Sequence, residues 1–124
     1  MRGLELARQS QHRRVLIVGA GRTGRSLLRE LRETTGERIV GFVDDSPSLR
    51  GRRLNGVKVV ATTAGIEQAL VRVRPDIVLV TIPDAQRDRL DTIVKACALH
   101  EVTCRFVQRD VDVDPRVILA TDKS

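Results

Sequence analysis

Three glycines, Gly19, Gly21 and Gly24, follow the apolar run VLIV at the spacing Gly-x-Gly-x-x-Gly. In such a turn the first glycine permits a sharp change of direction, the second lets a pyrophosphate approach the backbone, and the third lets the next helix pack closely. The backbone N–H groups of Arg22, Thr23 and Gly24 would then face an anion at the positive end of the helix dipole. The Thr23 hydroxyl adds a further donor. The chemistry that this spacing supports is the binding of a nucleotide phosphate.

An acidic pair, Asp44 and Asp45, ends the second apolar run, about 20 residues after the last glycine of the turn. A carboxylate at this position accepts hydrogen bonds from the ribose hydroxyls of an adenosine and repels a 2′-phosphate, which favours NAD over NADP. Arg50, Arg52 and Arg53 point the other way, because they would hold a phosphate on the ribose, as in NADP or coenzyme A. The alternative that the glycines and the acids form only tight turns stays open.

The elements that must position these residues follow from the apolar periodicity. Strands are predicted at 15–18, 39–43, 57–61, 77–82 and 102–107, and a first helix at 22–33. Two further helices are predicted, one capped by Thr62 or Thr63 and one capped by Asp84. Their apolar faces carry Ile66, Ala69, Leu70 and Val73 in the former, and Leu90, Ile93, Val94 and Cys97 in the latter.

Strands that alternate with helices predict an α/β fold with a doubly wound, mostly parallel sheet of five or six strands, Rossmann-like and in a single domain. We expect this domain at residues 13–124, after a polar leader at 1–12. The segment between the second and third strands has turn chemistry and no helical period, so the usual crossover helix is predicted to be missing. Alternating residues at 110–114 predict an edge strand, and pairing of two chains there, as a homodimer, stays open.

Thr81 and Pro83 lie where the fourth strand reaches the carboxyl edge of the predicted sheet. Ligands of doubly wound folds bind at this edge, near the point where the strand order reverses. We therefore expect Thr81 and Pro83 to line the pocket wall. The alternative is that Pro83 only ends the strand.

The composition excludes several classes of function. The chain has 124 residues with a net charge of +6, no Tyr, no Trp and two Phe, so aromatic platforms for stacking nucleic-acid bases are absent and we expect no nucleic-acid partner. No apolar run is long enough to cross a membrane, and no signal peptide is visible, so we expect exposure to the cytoplasm. Cys97 and Cys104 are predicted to be reduced core thiols, and the DVDVD run lacks the Gly and Glu of a calcium loop, so no metal site is expected.

Residues for catalysis are few. Without Tyr, the chain cannot form the Tyr-Lys pair that short-chain reductases and sugar epimerases use for proton transfer. His12 lies in the polar leader, and His100 lies at a predicted helix end, where capping is the expected role. We therefore expect cofactor binding without catalysis by this chain alone.

Three runs carry a resemblance to a known family: RRVLIVGAGRTGRSLLREL, IVGFVDDSPSLRGRRLNGVKVV and VRPDIVLVTIP. They resemble the nucleotide-binding Rossmann domain of membrane-associated polysaccharide-biosynthesis proteins, both sugar-nucleotide epimerases/dehydratases and polyprenyl-phosphate sugar-phosphate transferases. The resemblance covers residues 13–108. In such proteins the module typically follows transmembrane helices and precedes a catalytic domain, so it implies neighbouring domains in a longer parent and no catalytic residue in this segment.

The resemblance implies nucleotide contacts at the glycine loop, a ribose contact at Asp44 and a wall near 81–83. The glycine loop and the acid after the second strand favour an NAD-type dinucleotide as this nucleotide. The missing helix after the second strand is also similar to coenzyme A-binding Rossmann domains, so NADP, coenzyme A or a UDP-sugar remain the alternatives. In that second interpretation the chain is a regulatory domain of a polyprenyl-phosphate sugar-phosphate transferase.

Overall fold

Six strands form one sheet in the part of the chain that the structure, a computed structural model, describes: residues 13–82 and 86–107. Their order across the sheet is β3-β4-β2-β1-β5-β6. All neighbouring strands are parallel except β3 and β4, which form an antiparallel pair. The strands are β1 (Arg14–Val18), β2 (Arg38–Val43), β3 (Arg53–Leu54), β4 (Val57–Ala61), β5 (Ile77–Val80) and β6 (Thr103–Phe106).

Three α-helices cover the two faces of the sheet: α1 (Arg22–Thr34), α2 (Ile66–Val73) and α3 (Arg87–Leu99). On one face, Leu27 and Leu28 of α1 pack in a core cluster with strand residues such as Phe42. On the other, Ile66 and Ile93 belong to a cluster with residues from α2, α3 and the sheet. Because β1 is covered on both faces, all its residues after Arg14 are apolar and buried rather than alternating. The predicted doubly wound fold is confirmed.

No crossover helix joins β2 to β4, as predicted. A short 3₁₀ turn at Pro47–Leu49 and a two-residue hairpin loop at Asn55 and Gly56 replace it. Both loop residues have positive φ, 54° and 83°, which suits an Asn-Gly hairpin. Leu49 and Leu54 pack against the core on the α1 face, which helps to cover the sheet where a helix is missing. The strand β3 was not predicted, because two residues show no period.

Several local predictions were wrong. Neither Thr62 nor Thr63 caps a helix through its side chain; a 3₁₀ turn at Thr63–Gly65 precedes α2 instead. Helix α3 has Gln86 as its N-cap, two residues beyond the predicted Asp84, which lies outside the described residues. Val94 is 41% exposed, so it leaves the predicted apolar face, and Ala96 joins the buried side instead.

The leader at 1–12 and the predicted edge strand at 110–114 also lie outside the described residues. Cys97 is buried, as predicted, whereas Cys104 is half-buried; both are free thiols. Among residues 13–82 and 86–107, no helix has the length and apolar character needed to cross a membrane. The same residues contain no cluster of three or more metal-ligating side chains.

Candidate nucleotide site

The glycine loop connects β1 to α1 at the carboxyl edge of the sheet, and two of its glycines are required by the protein itself. Gly19 has a φ of +105°, a conformation that residues with a Cβ avoid, and a Cβ there would lie 2.2 Å from the Thr81 hydroxyl oxygen. A Cβ on Gly24 would lie 1.7 Å from the Gly19 carbonyl oxygen. These two positions therefore hold glycine because of the turn and the close packing of α1 against it.

Gly21 differs from both. Its backbone is extended, with φ −82° and ψ −156°, and a Cβ built there meets nothing within 4 Å. Neither conformation nor packing within the described residues requires glycine at this exposed position. Gly21 is also the N-cap of α1, a position where glycine is a favoured residue, and its open surroundings leave room for a phosphate to approach the backbone.

The start of α1 offers donors without partners. Helix α1 has no side-chain cap and no acid in its first turn. The first helical backbone bond runs from the Arg25 N–H to the Gly21 carbonyl, at 3.0 Å. Within the described residues, no hydrogen bond involves the N–H groups of Arg22, Thr23 and Gly24. These groups and the helix dipole together favour an anion in front of the loop.

Asp44 is held against the glycine loop by backbone donors. Its Oδ2 accepts from the Ala20 N–H at 2.7 Å, and its Oδ1 accepts from the Ser46 N–H at 2.8 Å. Each carboxylate oxygen has a second lone pair, so Asp44 can still accept from two ribose hydroxyls. The predicted site residues Gly19, Gly21, Gly24 and Asp44 are thus brought to one edge of the sheet.

Asp45, the neighbouring acid, faces other groups of the protein. Its Oδ1 accepts from the Thr63 N–H at 2.7 Å, and its Oδ2 lies 2.6 Å from the Arg89 Nε in an ion pair. Burial by itself would raise the pKa of Asp45, but the hydrogen bond from Thr63 and the Arg89 guanidinium hold that pKa below its ordinary value. Asp45 therefore joins the end of β2 to the beginnings of α2 and α3.

Thr81 also has a partner in the protein. Its Oγ1 donates to the Val18 carbonyl at 2.9 Å, so the hydroxyl ties the end of β5 to the end of β1. It also lies beside Gly19 at the base of the loop. The other predicted wall residue, Pro83, lies outside the described residues.

A cavity of about 420 Å³ adjoins Asp44. The end of β2, the segment after the 3₁₀ turn, β4 and α2 all contribute to it, and its polar lining consists of Asp44, Arg50, Lys58, Thr62, Gln68 and Arg72. Its volume lies in the range of small-molecule sites. Of the three arginines after β2 that the sequence singled out, only Arg50 lines it.

Sequence reasoning did not include Lys58, Gln68 and Arg72 among the site residues. The alternation in β4, where Val57 and Val59 are buried and Lys58 is exposed, marks Lys58 only as a polar-face residue. Arg72 enters through the packing of α2 beside the edge of the sheet, where its Nη2 donates to the Val60 carbonyl at 3.1 Å. That placement depends on tertiary structure, which a periodic pattern does not reveal.

Known proteins resemble this chain in both sequence and fold. The chain is 25% identical over 96 residues to the probable polysaccharide biosynthesis protein EpsC of Bacillus subtilis (strain 168). The match covers 76% of this chain and 16% of EpsC, so the chain spans a small part of that relative's length. This similarity bears out the resemblance to polysaccharide-biosynthesis proteins that the sequence runs carry.

Solved structures confirm the Rossmann-like fold. The UDP-D-quinovosamine 4-dehydrogenase from Vibrio fischeri superposes with a TM-score of 0.68 at 21% identity, over 91% of this chain and 88% of that one. The Rex-family repressor RSP superposes with a TM-score of 0.65 at 23% identity, over 89% of this chain and 52% of that one. RSP has also been solved with β-NADH, and with β-NAD+ and operator DNA.

A family model also matches this chain. The model of a CoA-binding domain matches residues 2–108, which is most of the chain. Because the match extends from before β1 to beyond β6, it includes the glycine loop, Asp44 and the cavity beside it. This chain therefore belongs to the CoA-binding domain family.

Proposed function

We propose that this chain is the nucleotide-binding module of a sugar-nucleotide epimerase/dehydratase-like polysaccharide-biosynthesis protein, and that it binds an NAD-type dinucleotide without catalysing a reaction alone. The observation that carries the proposal is Gly21, the glycine of the loop that the described protein does not itself require. The similarity to EpsC supports the pathway, and the NADH and NAD+ complexes of RSP, which has the same fold, support the ligand.

In this arrangement the pyrophosphate lies against Gly21 and accepts from the free N–H groups at the start of α1. Asp44, already oriented by the Ala20 and Ser46 amides, accepts from the adenosine ribose. We assign no acid, base or nucleophile to the chain. A parent protein would supply these groups from other domains, and contact with such domains is the partnership that the proposal expects.

The experiment is calorimetric titration of the purified chain with NAD+, since a chain without Tyr or Trp has almost no intrinsic fluorescence signal. Gly21→Val places a branched side chain where the pyrophosphate would approach. We expect saturable binding by the wild type and a loss of at least about tenfold in affinity, roughly 1.4 kcal/mol, in the variant. Because the added side chain meets open space, the variant should lose only the cost of a poorer N-cap, about 1 kcal/mol or less in the free energy of unfolding, measured by circular dichroism.

Two results would contradict the proposal. One is Gly21→Val protein that binds NAD+ as tightly as the wild type. The other is wild-type protein that gives no saturable heat with NAD+, NADP+ or coenzyme A.

A second candidate is a coenzyme A- or sugar-nucleotide-binding regulatory domain of a polyprenyl-phosphate sugar-phosphate transferase. Membership in the CoA-binding domain family and the missing crossover helix after β2 favour it. Titration with coenzyme A and a UDP-sugar under the same conditions separates the two: this candidate expects one of these ligands to bind at least tenfold more tightly than NAD+, by the same affinity arithmetic.

A further inference from the structure

The side chains that line the cavity beside Asp44 carry more positive than negative charges. Arg50, Lys58 and Arg72 line it, and Asp44 is its single acid. None of these three cations forms an ion pair with an acid of the described residues, whereas the cations of Arg13 and Arg89 are paired with Glu37 and Asp45.

These three cationic side chains surround a concave space rather than lying on a flat helix face. Arg50 comes from the segment after the 3₁₀ turn, Lys58 from β4 and Arg72 from α2. Three independent elements therefore converge on one cavity of about 420 Å³. Unpaired guanidinium and ammonium groups that converge in this way favour a phosphate, because guanidinium matches its oxygens in pairs and ammonium adds a compact charge.

We propose that this cavity binds a phosphate carried on the ribose of the nucleotide, and so selects ligands with a phosphorylated adenosine ribose. The inference rests on the proposed nucleotide function and narrows its ligand. Asp44 borders both the glycine loop and the cavity. It would accept from the ribose hydroxyl that stays free, while the phosphate on the neighbouring hydroxyl enters the cavity toward Arg50 and Lys58.

The short connection between β2 and β4 makes this placement possible. Where a crossover helix would stand, the chain turns through Pro47–Leu49 and brings Arg50 and Gly51 to the cavity. Arg52 and Arg53 follow at once but do not line it, and Arg53 donates to the Gly56 carbonyl at 3.4 Å. Arg52 is therefore a matched control: it has the same charge, two positions from Arg50, and lies outside the cavity.

The test uses two pairs of ligands that each differ by a single ribose phosphate. NADP+ and NAD+ differ at the 2′ position, and coenzyme A and dephospho-coenzyme A differ at the 3′ position. In calorimetric titrations at low ionic strength, we expect at least one phosphorylated member to bind about tenfold or more tightly than its partner, as charge-assisted hydrogen bonds would give. The pair that shows the ratio identifies the hydroxyl that carries the phosphate.

Variants that remove one charge test whether the affinity ratio between phosphorylated and unphosphorylated ligands depends on the cavity. Arg50→Gln and Lys58→Gln should each reduce it to about threefold or less, and Arg52→Gln should leave it unchanged. Arg72→Gln should act similarly, but it also removes the donor to Val60, so its thermal unfolding is compared with that of the wild type.

The outcomes separate this inference from the function on which it rests. If ligands bind but both ratios are near one, the inference is wrong and the nucleotide site stands. If Arg52→Gln lowers the ratio as much as Arg50→Gln, a general positive field acts and the cavity is not the site. If none of the four ligands binds, the proposed function itself fails.

Discussion

Asp45→Asn tests whether the Asp45 carboxylate stabilises the folded protein. Asp45 accepts from the Thr63 N–H at 2.7 Å and pairs with the Arg89 Nε at 2.6 Å. The two charged side chains are 33% and 32% exposed, so solvent screens part of their attraction. Asparagine keeps the size and one acceptor oxygen but removes the charge. The change therefore isolates the electrostatic part of the contact.

The expected loss is about 1.5 kcal/mol near neutral pH. A screened ion pair contributes at most about 0.5 to 1 kcal/mol, and converting a charged acceptor of a backbone N–H into a neutral one costs about another 1 kcal/mol. The pKa of Asp45 is lowered in the folded chain, so this stabilisation is present above the unfolded pKa, near 4, and is lost as the pH falls through the folded value. The difference between variant and wild type should therefore shrink at acid pH.

The assay is urea unfolding followed by far-ultraviolet circular dichroism, at about pH 7 and about pH 3. Asp91→Asn is the control, because Asp91 is exposed on α3 and its substitution removes the same charge. The reasoning is refuted if Asp45→Asn lowers the free energy of unfolding, relative to the wild type at the same pH, by the same amount at both pH values. It is also refuted if Asp91→Asn lowers it as much as Asp45→Asn. Combining the variant with Arg89→Gln should give a coupling energy of about 0.5 kcal/mol or more.

Two further predictions concern the glycine loop and the thiols. Gly24→Ala should lower the free energy of unfolding by more than about 2 kcal/mol, because its Cβ would lie 1.7 Å from the Gly19 carbonyl oxygen. Gly21→Ala should lower it by less than about 1 kcal/mol, the cost of a poorer N-cap, and equal losses in urea unfolding would contradict this. Hydrogen bonding to Cys104 and burial raise the pKa of the Cys97 thiol, so N-ethylmaleimide should label half-buried Cys104 well before Cys97 in folded protein; peptide mass spectrometry that finds equal rates would contradict it.

The first β-α-β unit was predictable because its determinants are local. The apolar run of β1, the three glycines and the stripe of α1 lie within one stretch of chain, and the helix begins at the predicted Arg22. The helix ends at Thr34, one residue after its predicted end, and Gly36 just beyond it has a φ of +68°, as a glycine that ends a helix does. Residues that are close in sequence determine these features, so contacts with distant residues are not needed to predict them.

The roles of the two acids could not be separated by sequence. Asp45 accepts from Thr63 and pairs with Arg89, 18 and 44 residues later in the chain, so its partners exist only after α2 and α3 have packed on the sheet. The wrong prediction of a Thr62 or Thr63 side-chain cap has the same origin. The N–H of Thr63 does receive an acidic partner, but the acid comes from the end of a distant strand.

The pairing of Asp45 with Arg89 also bears on which ligand the site favours. Adjacent residues at a strand end point to opposite sides of the sheet, so Asp44 contacts the glycine loop while Asp45 contacts the beginnings of α2 and α3. Arg89 balances the charge of Asp45. A ribose phosphate bound in the cavity, as proposed, would therefore meet one uncompensated acid and three cations. An acid at the end of β2 is thus compatible with a phosphorylated ribose in this chain, because the cations beside it outnumber it.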